Sequence, residues 1–184
     1  AVQSRMGIGD TVIFLPFMKA LFKKFNSPIS ILVKENSKAN QYLHQTKYID
    51  KILTLERDNK TNNRHGGFFG IFKLANDLKK YKFDKIFIFN SSLRFNLVAK
   101  ISGIPQIYQY PLFAKNKQHI IEAPKKFLKE NLDLDINEDP EVQIDNDSIS
   151  NTAQKFQIDK NTTNILLGIG GSGPTKRIPA KTFL

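Results

Sequence analysis

The chain has 184 residues, 40% of them hydrophobic and 15 of them Phe, enough for a real core in one large domain or one domain plus a piece of another. A net charge of +11 favours an anionic partner, whether nucleic acid, membrane surface or phosphorylated ligand, but Lys and Asn are abundant throughout, so charge alone identifies none. With no Cys, disulfides and thiolate metal sites are excluded; no apolar run reaches membrane-spanning length, and the first residues carry no secretory pattern.

Ala1 to Gln3 reads as the last piece of a strand. It leads into the glycine-rich turn Arg5-Met6-Gly7-Ile8-Gly9-Asp10. Phe14, Phe17, Met18, Leu21, Phe22 and Phe25 then recur at helical spacing and share one face, with Pro16 kinking the helix or limiting its first turn. Ile29 to Val33 is a short β-branched run, hence a buried strand. Ser37 to Thr46 predicts a weaker helix, and Ile49 to Leu55 contains a third strand. Glu56 to Gly67 is polar and reads as a loop. Ile71, Leu74, Ala75, Leu78 and Tyr81 mark another helix. Lys85 to Phe89 predicts a strand, Leu93 to Ile101 a helix, Gln106 to Tyr110 a fifth strand, and His119 to Leu132 a helix. Asp133 to Asp147 is acidic and lacks periodicity. Ser148 to Phe156 reads as helical. Asn164 to Ile169 predicts a final strand feeding a second glycine-rich turn, Gly168 to Pro179.

Strand and helix alternate with short connections. That pattern implies an α/β fold: a Rossmann-like, doubly wound parallel sheet covered on both faces by right-handed crossovers. Ligands of such sheets sit at the carboxyl ends of the strands, where both glycine turns fall. Each turn aims backbone N–H groups at an anion.

Two familiar phosphate-binding readings fit poorly. Gly7-x-Gly9 lacks the third glycine of a dinucleotide fingerprint, since Val12 holds that position, although Glu35 follows the second strand where a ribose-binding acid would sit. Gly168 to Thr175 has the outline of a P-loop, but Pro174 replaces its lysine and removes a backbone donor. Asp10 is open to two roles: an N-cap of the first helix, or a general base pointing into a cleft. Lys176, with Ser172 and Thr175 beside it, reads as a phosphate clamp. Arg94 starts a helix after Ser91-Ser92 and is placed to meet an anion or a neighbouring carboxylate. His44, His65 and His119 have no metal-ligand spacing, and no nucleic-acid-binding signature occurs.

Taken in order, these segments resemble glycosyltransferase family 9, the ADP-heptose:lipopolysaccharide heptosyltransferases. The front is Arg5-Met6-Gly7-Ile8-Gly9-Asp10-Thr11-Val12 with Leu15-Pro16 and Ala20-Leu21. The middle is Tyr48-Ile49-Asp50-Lys51-Ile52, Tyr81-Lys82-Phe83-Asp84-Lys85, Ser92-Leu93-Arg94 and Ser102-Gly103-Ile104-Pro105. The end is Gly170-Gly171-Ser172-Gly173-Pro174-Thr175-Lys176-Arg177-Ile178-Pro179. Gly168 and Ile178 depart from the family, which often has His and Trp there.

The resemblance implies GT-B architecture, two Rossmann-like domains across a cleft, truncated here in the second. Residues 1–133 would form the acceptor-side domain, 134–163 a linker or crossing segment, and 164–184 the start of the nucleotide-sugar-binding domain. Both ends read as cut from a longer protein, so transfer by the fragment alone is not expected. Asp10 would be the general base, with Gly9 and Arg94 on the acceptor side. Gly170, Gly171, Ser172, Thr175 and Lys176 would hold the donor diphosphate, stabilising the leaving group without a metal or other cofactor. The implied reaction is inverting transfer, with ADP-heptose as donor and a lipid-linked, anionic lipopolysaccharide core or related surface glycan as acceptor. The implied location is cytoplasmic, peripheral on the inner face of the inner membrane, with no nucleic-acid partner. The rival expectations are a non-catalytic Rossmann-like module binding an anionic or nucleotide ligand, and an NAD-dependent oxidoreductase.

Overall fold

A computed structural model describes residues 1–3, 7–57, 63–112, 119–159, 161–166 and 180–182. The chain forms two compact units, Ala1–Ile144 and Asp145–Leu184.

The first unit is built on a five-stranded sheet of β1 (Val2–Gln3), β2 (Ile29–Lys34), β3 (Ile49–Leu55), β4 (Lys85–Phe89) and β5 (Gln106–Gln109), in the spatial order β3-β2-β1-β4-β5. Every pairing is parallel, and the short β1 lies between β2 and β4, with Val2 opposite both Leu32 and Ile88. Parallel neighbours need crossovers. Helices α1 (Ile8–Ile13) and α2 (Leu15–Phe25) join β1 to β2, α3 (Phe69–Lys79) joins β3 to β4, and α4 (Leu93–Ile101) joins β4 to β5. Helix α5 (Glu122–Leu132) follows the sheet.

Side chains of a strand alternate between faces, so β4 supplies both cores. Phe87 and Phe89 join Ile31 and Val33 beneath Phe17, Met18 and Leu21 of α2 and Phe127 and Leu128 of α5. Ile86 and Ile88 join Val2 and Leu32 against Leu74 and Leu78 of α3 and Val98 and Ala99 of α4. Helices therefore cover both faces of the parallel sheet. The first core is aromatic: the Phe89 ring meets Phe14 at 5.4 Å and Phe127 at 5.4 Å, both edge to face, which suits the ring quadrupoles.

The expected first helix is two helices. The backbone pauses at Phe14, which ends α1 and begins α2, and Pro16 falls in the first turn of α2, where its missing N–H has no intrahelical partner to lose. The helix expected over Ser37 to Thr46 is instead a pair of 3-10 turns, Glu35–Ser37 and Ala39–Gln41. Lys38 between them has φ +50°, a left-handed conformation that stops a continuous α-helix. Residues 164–166 of the expected last strand are not in a sheet, and 167–169 lie outside the described residues.

Residues 134–144 have no regular structure yet pack on the first core through Leu134, Ile136 and Val142. Lys19 and Lys23 of α2 also hold Glu138 at 3.0 Å and 2.5 Å. The second unit contains α6 (Asn146–Lys155), whose N-cap Asp145 accepts from the Ser148 amide at 2.6 Å and its hydroxyl at 2.9 Å. The helix buries none of its residues. Among the described residues, no helix is long and apolar enough to cross a membrane.

Phe89, 1% exposed, is the ring that α2, α5 and the sheet share. Phe89→Ala is expected to destabilise the chain by about 3–5 kcal/mol, read as a lower denaturant midpoint at unchanged slope.

Candidate functional site

In this strand order, β1 and β4 are neighbours whose connections leave toward opposite faces of the sheet. The crevice outside their carboxyl ends is where parallel sheets of this kind hold ligands. Two segments flank it: Gly7–Asp10 after β1, and Asn90–Arg94 after β4. A cavity of about 450 Å³ lies instead at the opposite edge, lined in part by Pro28, Asp50, Tyr81, Asp84 and Lys85. None of those residues follows a strand's carboxyl end, so the site is assigned to the β1–β4 crevice.

Asp10 is the third residue of α1, not its N-cap; Gly7 holds the cap position. The Asp10 carboxylate reaches back to accept from the Gly7 amide at 3.3 Å. Thr11, buried behind it, donates its hydroxyl to the Gly7 carbonyl at 2.8 Å. The turn is therefore clamped from two sides, and the half-exposed carboxylate is held by one oxygen, Oδ2. The glycines differ in purpose. A Cβ on Gly7 would lie 3.1 Å from that Oδ2, whereas a Cβ on Gly9 would meet nothing within 4 Å. Gly7 keeps the carboxylate where it is; Gly9 leaves open space beside it.

The β4 side is organised by amides that sequence reasoning did not single out. Asn90 is 7% exposed and accepts from the Ser92 amide through Oδ1 at 3.0 Å. Gln109, ending β5, donates to the carbonyls of Asn90 at 3.1 Å and Ser92 at 2.9 Å, and accepts from Asn96 at 2.8 Å. Among the described residues, Asn90 Nδ2 has no partner, so a buried donor remains at the end of β4. The available signal was an Asn placed directly after the apolar run of β4.

Arg94 lies at the start of α4 as expected, and there it donates to backbone carbonyl oxygens, those of Gly67, at 2.7 Å, and His65. It thereby ties the loop after β3 to the start of α4. A second latch closes the same loop. Buried His65 accepts the Glu56 amide on Nδ1 at 3.0 Å and donates from Nε2 to Asp77 at 3.0 Å, the only tautomer that satisfies both. Arg64 and Lys80 also bond Asp77. Burial pushes the Asp77 carboxyl up, but the hydrogen bonds from Arg64, His65 and Lys80 outweigh it and hold it down at about 2. Gly70 fits under this loop because a Cβ there would strike the His65 carbonyl at 2.4 Å.

The expected diphosphate-binding residues Gly170, Gly171, Ser172, Thr175 and Lys176 lie outside the described residues, as does Arg5. Among the described residues, no cluster of three or more His, Asp and Glu is arranged to hold a metal. Two Asp-x-Asp pairs have other partners: Lys129 bonds Asp133 at 2.8 Å and Asp135 at 2.7 Å, and Asp145 caps α6 ahead of Asp147.

No protein-family model matches the sequence, and no curated protein does. Among solved structures, the chain is similar to a glycosyl transferase family 9 protein from Veillonella parvula, with a TM-score of 0.71 and 20% identity. The similarity covers 99% of this chain and 56% of that one, so the chain spans about half the length of the protein it matches.

Two substitutions separate the roles of the glycines. Gly9→Ala, in a helix with open space, is expected to stabilise the chain by about 0.5–1 kcal/mol in denaturant unfolding. Gly7→Ala is expected to destabilise it, because the new methyl displaces the Asp10 carboxylate from its amide. For the Asp77 latch, a depressed carboxyl contributes stability that is complete above its unfolded value near 4 and disappears as pH falls towards about 2. Thermal melts between pH 5 and pH 2 should show that loss, and Asp77→Asn should flatten it. The chain shares its fold with the glycosyl transferase family 9 structure across nearly its whole length.

Proposed function

We propose that this chain is the acceptor-side part of a family 9 glycosyltransferase of GT-B architecture. Residues 1–133 form its Rossmann-like N-terminal domain, 134–163 cross between domains, and 164–184 begin the donor domain. The observation that carries this reading is Asp10, a half-exposed carboxylate in the first turn of α1, beside the point where strand order reverses. Its fold neighbour is named a glycosyl transferase.

Asp10 then accepts the proton of an acceptor hydroxyl. The hydroxyl oxygen attacks the anomeric carbon of the donor sugar, and the bond from that carbon to the diphosphate oxygen breaks, with inversion. The Gly7 amide keeps Asp10 oriented, and open space at Gly9 admits the acceptor. The resemblance assigns Gly170, Gly171, Ser172, Thr175 and Lys176 to the leaving diphosphate, where backbone amides and an ammonium stabilise developing charge without a metal. It assigns ADP-heptose as the donor and an anionic, lipid-linked glycan of the cell envelope as the acceptor. The resemblance implies the cytoplasmic face of the inner membrane as the location. The +11 net charge suits such an acceptor and such a surface. Arg94 supports the acceptor side by bracing the loop after β3.

The test is nucleoside-diphosphate release by protein carrying the complete donor domain, with ADP-heptose and other sugar nucleotides, in EDTA. Acceptor-dependent release is expected, and Asp10→Asn should lower kcat by about 10²-fold or more with little change in donor affinity. No release from any donor would favour the non-catalytic anion-binding module.

A further inference from the structure

The least expected surface of this chain is aromatic. Phe68, Phe69 and Phe72, at the start of α3, are 69%, 76% and 48% exposed and belong to neither core. Their rings pack on one another edge to face, with Phe68 5.9 Å from Phe69 and 5.6 Å from Phe72. Most exposed apolar residues are single and need no explanation; three adjoining phenylalanines on one helical turn form a patch. The patch is held firmly, since Arg94 bonds the carbonyl of Gly67 next to it and the His65–Asp77 latch secures the loop entering it. It stands at the carboxyl edge of the sheet, the edge that carries Asp10, because α3 begins where the loop from β3 ends.

The charge next to it is cationic: Lys73 is exposed directly after Phe72, on a chain of net charge +11. Protein-binding patches are typically depleted of Lys. Apolar rings beside an exposed Lys match instead an anionic bilayer, whose acyl boundary takes the rings while its headgroups pair with the cation.

We propose that Phe68, Phe69 and Phe72 insert into the surface of an anionic phospholipid bilayer, with Lys73 on its headgroups. The proposal rests on the reading above, in which the acceptor is lipid-linked: it sets the Asp10 edge of the sheet against the membrane that holds the acceptor. Residues 65–72 then serve as a docking element, and the Arg94 and Asp77 contacts keep it presented.

The 184-residue chain has no Trp, so Phe69→Trp supplies a single reporter. With vesicles of phosphatidylcholine and phosphatidylglycerol, its emission should shift to the blue and be quenched by bromine on the acyl chains. Pure phosphatidylcholine should give much less. Phe68→Ser with Phe69→Ser, both solvent-facing and checked for an unchanged circular dichroism spectrum, should lower vesicle cosedimentation about tenfold or more. Lys73→Glu should weaken it and reduce its salt dependence. Three outcomes would overturn the proposal. The indole emission of the Phe69→Trp variant stays that of an exposed group with anionic vesicles; it shifts with protein concentration in the absence of lipid, which assigns the patch to a second copy; or it is already shifted, without lipid, in protein carrying the complete donor domain. Transfer to a water-soluble acceptor is measured alongside, with each variant placed in protein carrying the complete donor domain. If it is intact in the double Ser variant while vesicle binding is lost, the membrane role is supported. Absence of transfer in every variant defeats the glycosyltransferase reading and leaves the vesicle result to stand or fall by itself.

Discussion

The structure depends on the parallel pairing of β1 between β2 and β4. This strand is two residues long, yet Val2 pairs on both sides and is 2% exposed. Its place makes the strand order reverse, because the chain leaves β1 toward β2 and β3 on one side and returns to β4 and β5 on the other. The two connections must cover opposite faces, and outside the carboxyl ends of β1 and β4 they part. No other position on this sheet exposes strand ends that neither flanking crossover closes. Asp10 and Asn90 take their importance from that position more than from their chemistry, since isolated Asp and Asn residues are common at turns.

Around that crevice the molecule uses two means of holding loops. The β1 turn is local: a carboxylate, a hydroxyl and two backbone groups within five residues. The loop after β3 is held from a distance, by Arg94 from α4 and Asp77 from α3. The distant kind joins charged side chains from two helices, and its hydrogen bonds are charge-assisted. It is also dependent on protonation, as the depressed Asp77 carboxyl shows. The exposed phenylalanines follow immediately on this loop, so the electrostatic latch and the aromatic surface act as one element.

Much of the fold was legible in the chain. Runs such as Lys85 to Phe89 and Ile29 to Val33 are short, β-branched and bounded by polar residues, and every strand expected in the first unit is present, all in parallel. Helix ends were less legible. Phe14 interrupts an otherwise unbroken apolar stripe, and Lys38 turns left-handed where the periodicity predicted a weak helix. In both places the chain must change direction to meet the sheet, and periodicity records which residues face inward but not where the axis bends.

The site divides the same way. Sequence alone marked Asp10 and its glycines, because a carboxylate among glycines after a strand is a local pattern, and it marked Arg94 as the start of a helix. Only the tertiary structure decided that Gly7, not Asp10, caps α1, and that Arg94 faces the carbonyls of the loop after β3. The same holds for the network of Asn90, Ser92, Asn96 and Gln109, and for the pairing of His65 with Asp77. Each joins residues that are separated along the chain and that carry no mark of their partners. A hydrogen bond across a fold depends on the distance between two groups, and that distance is set by how β3, β4 and β5 lie side by side, which no window of sequence contains.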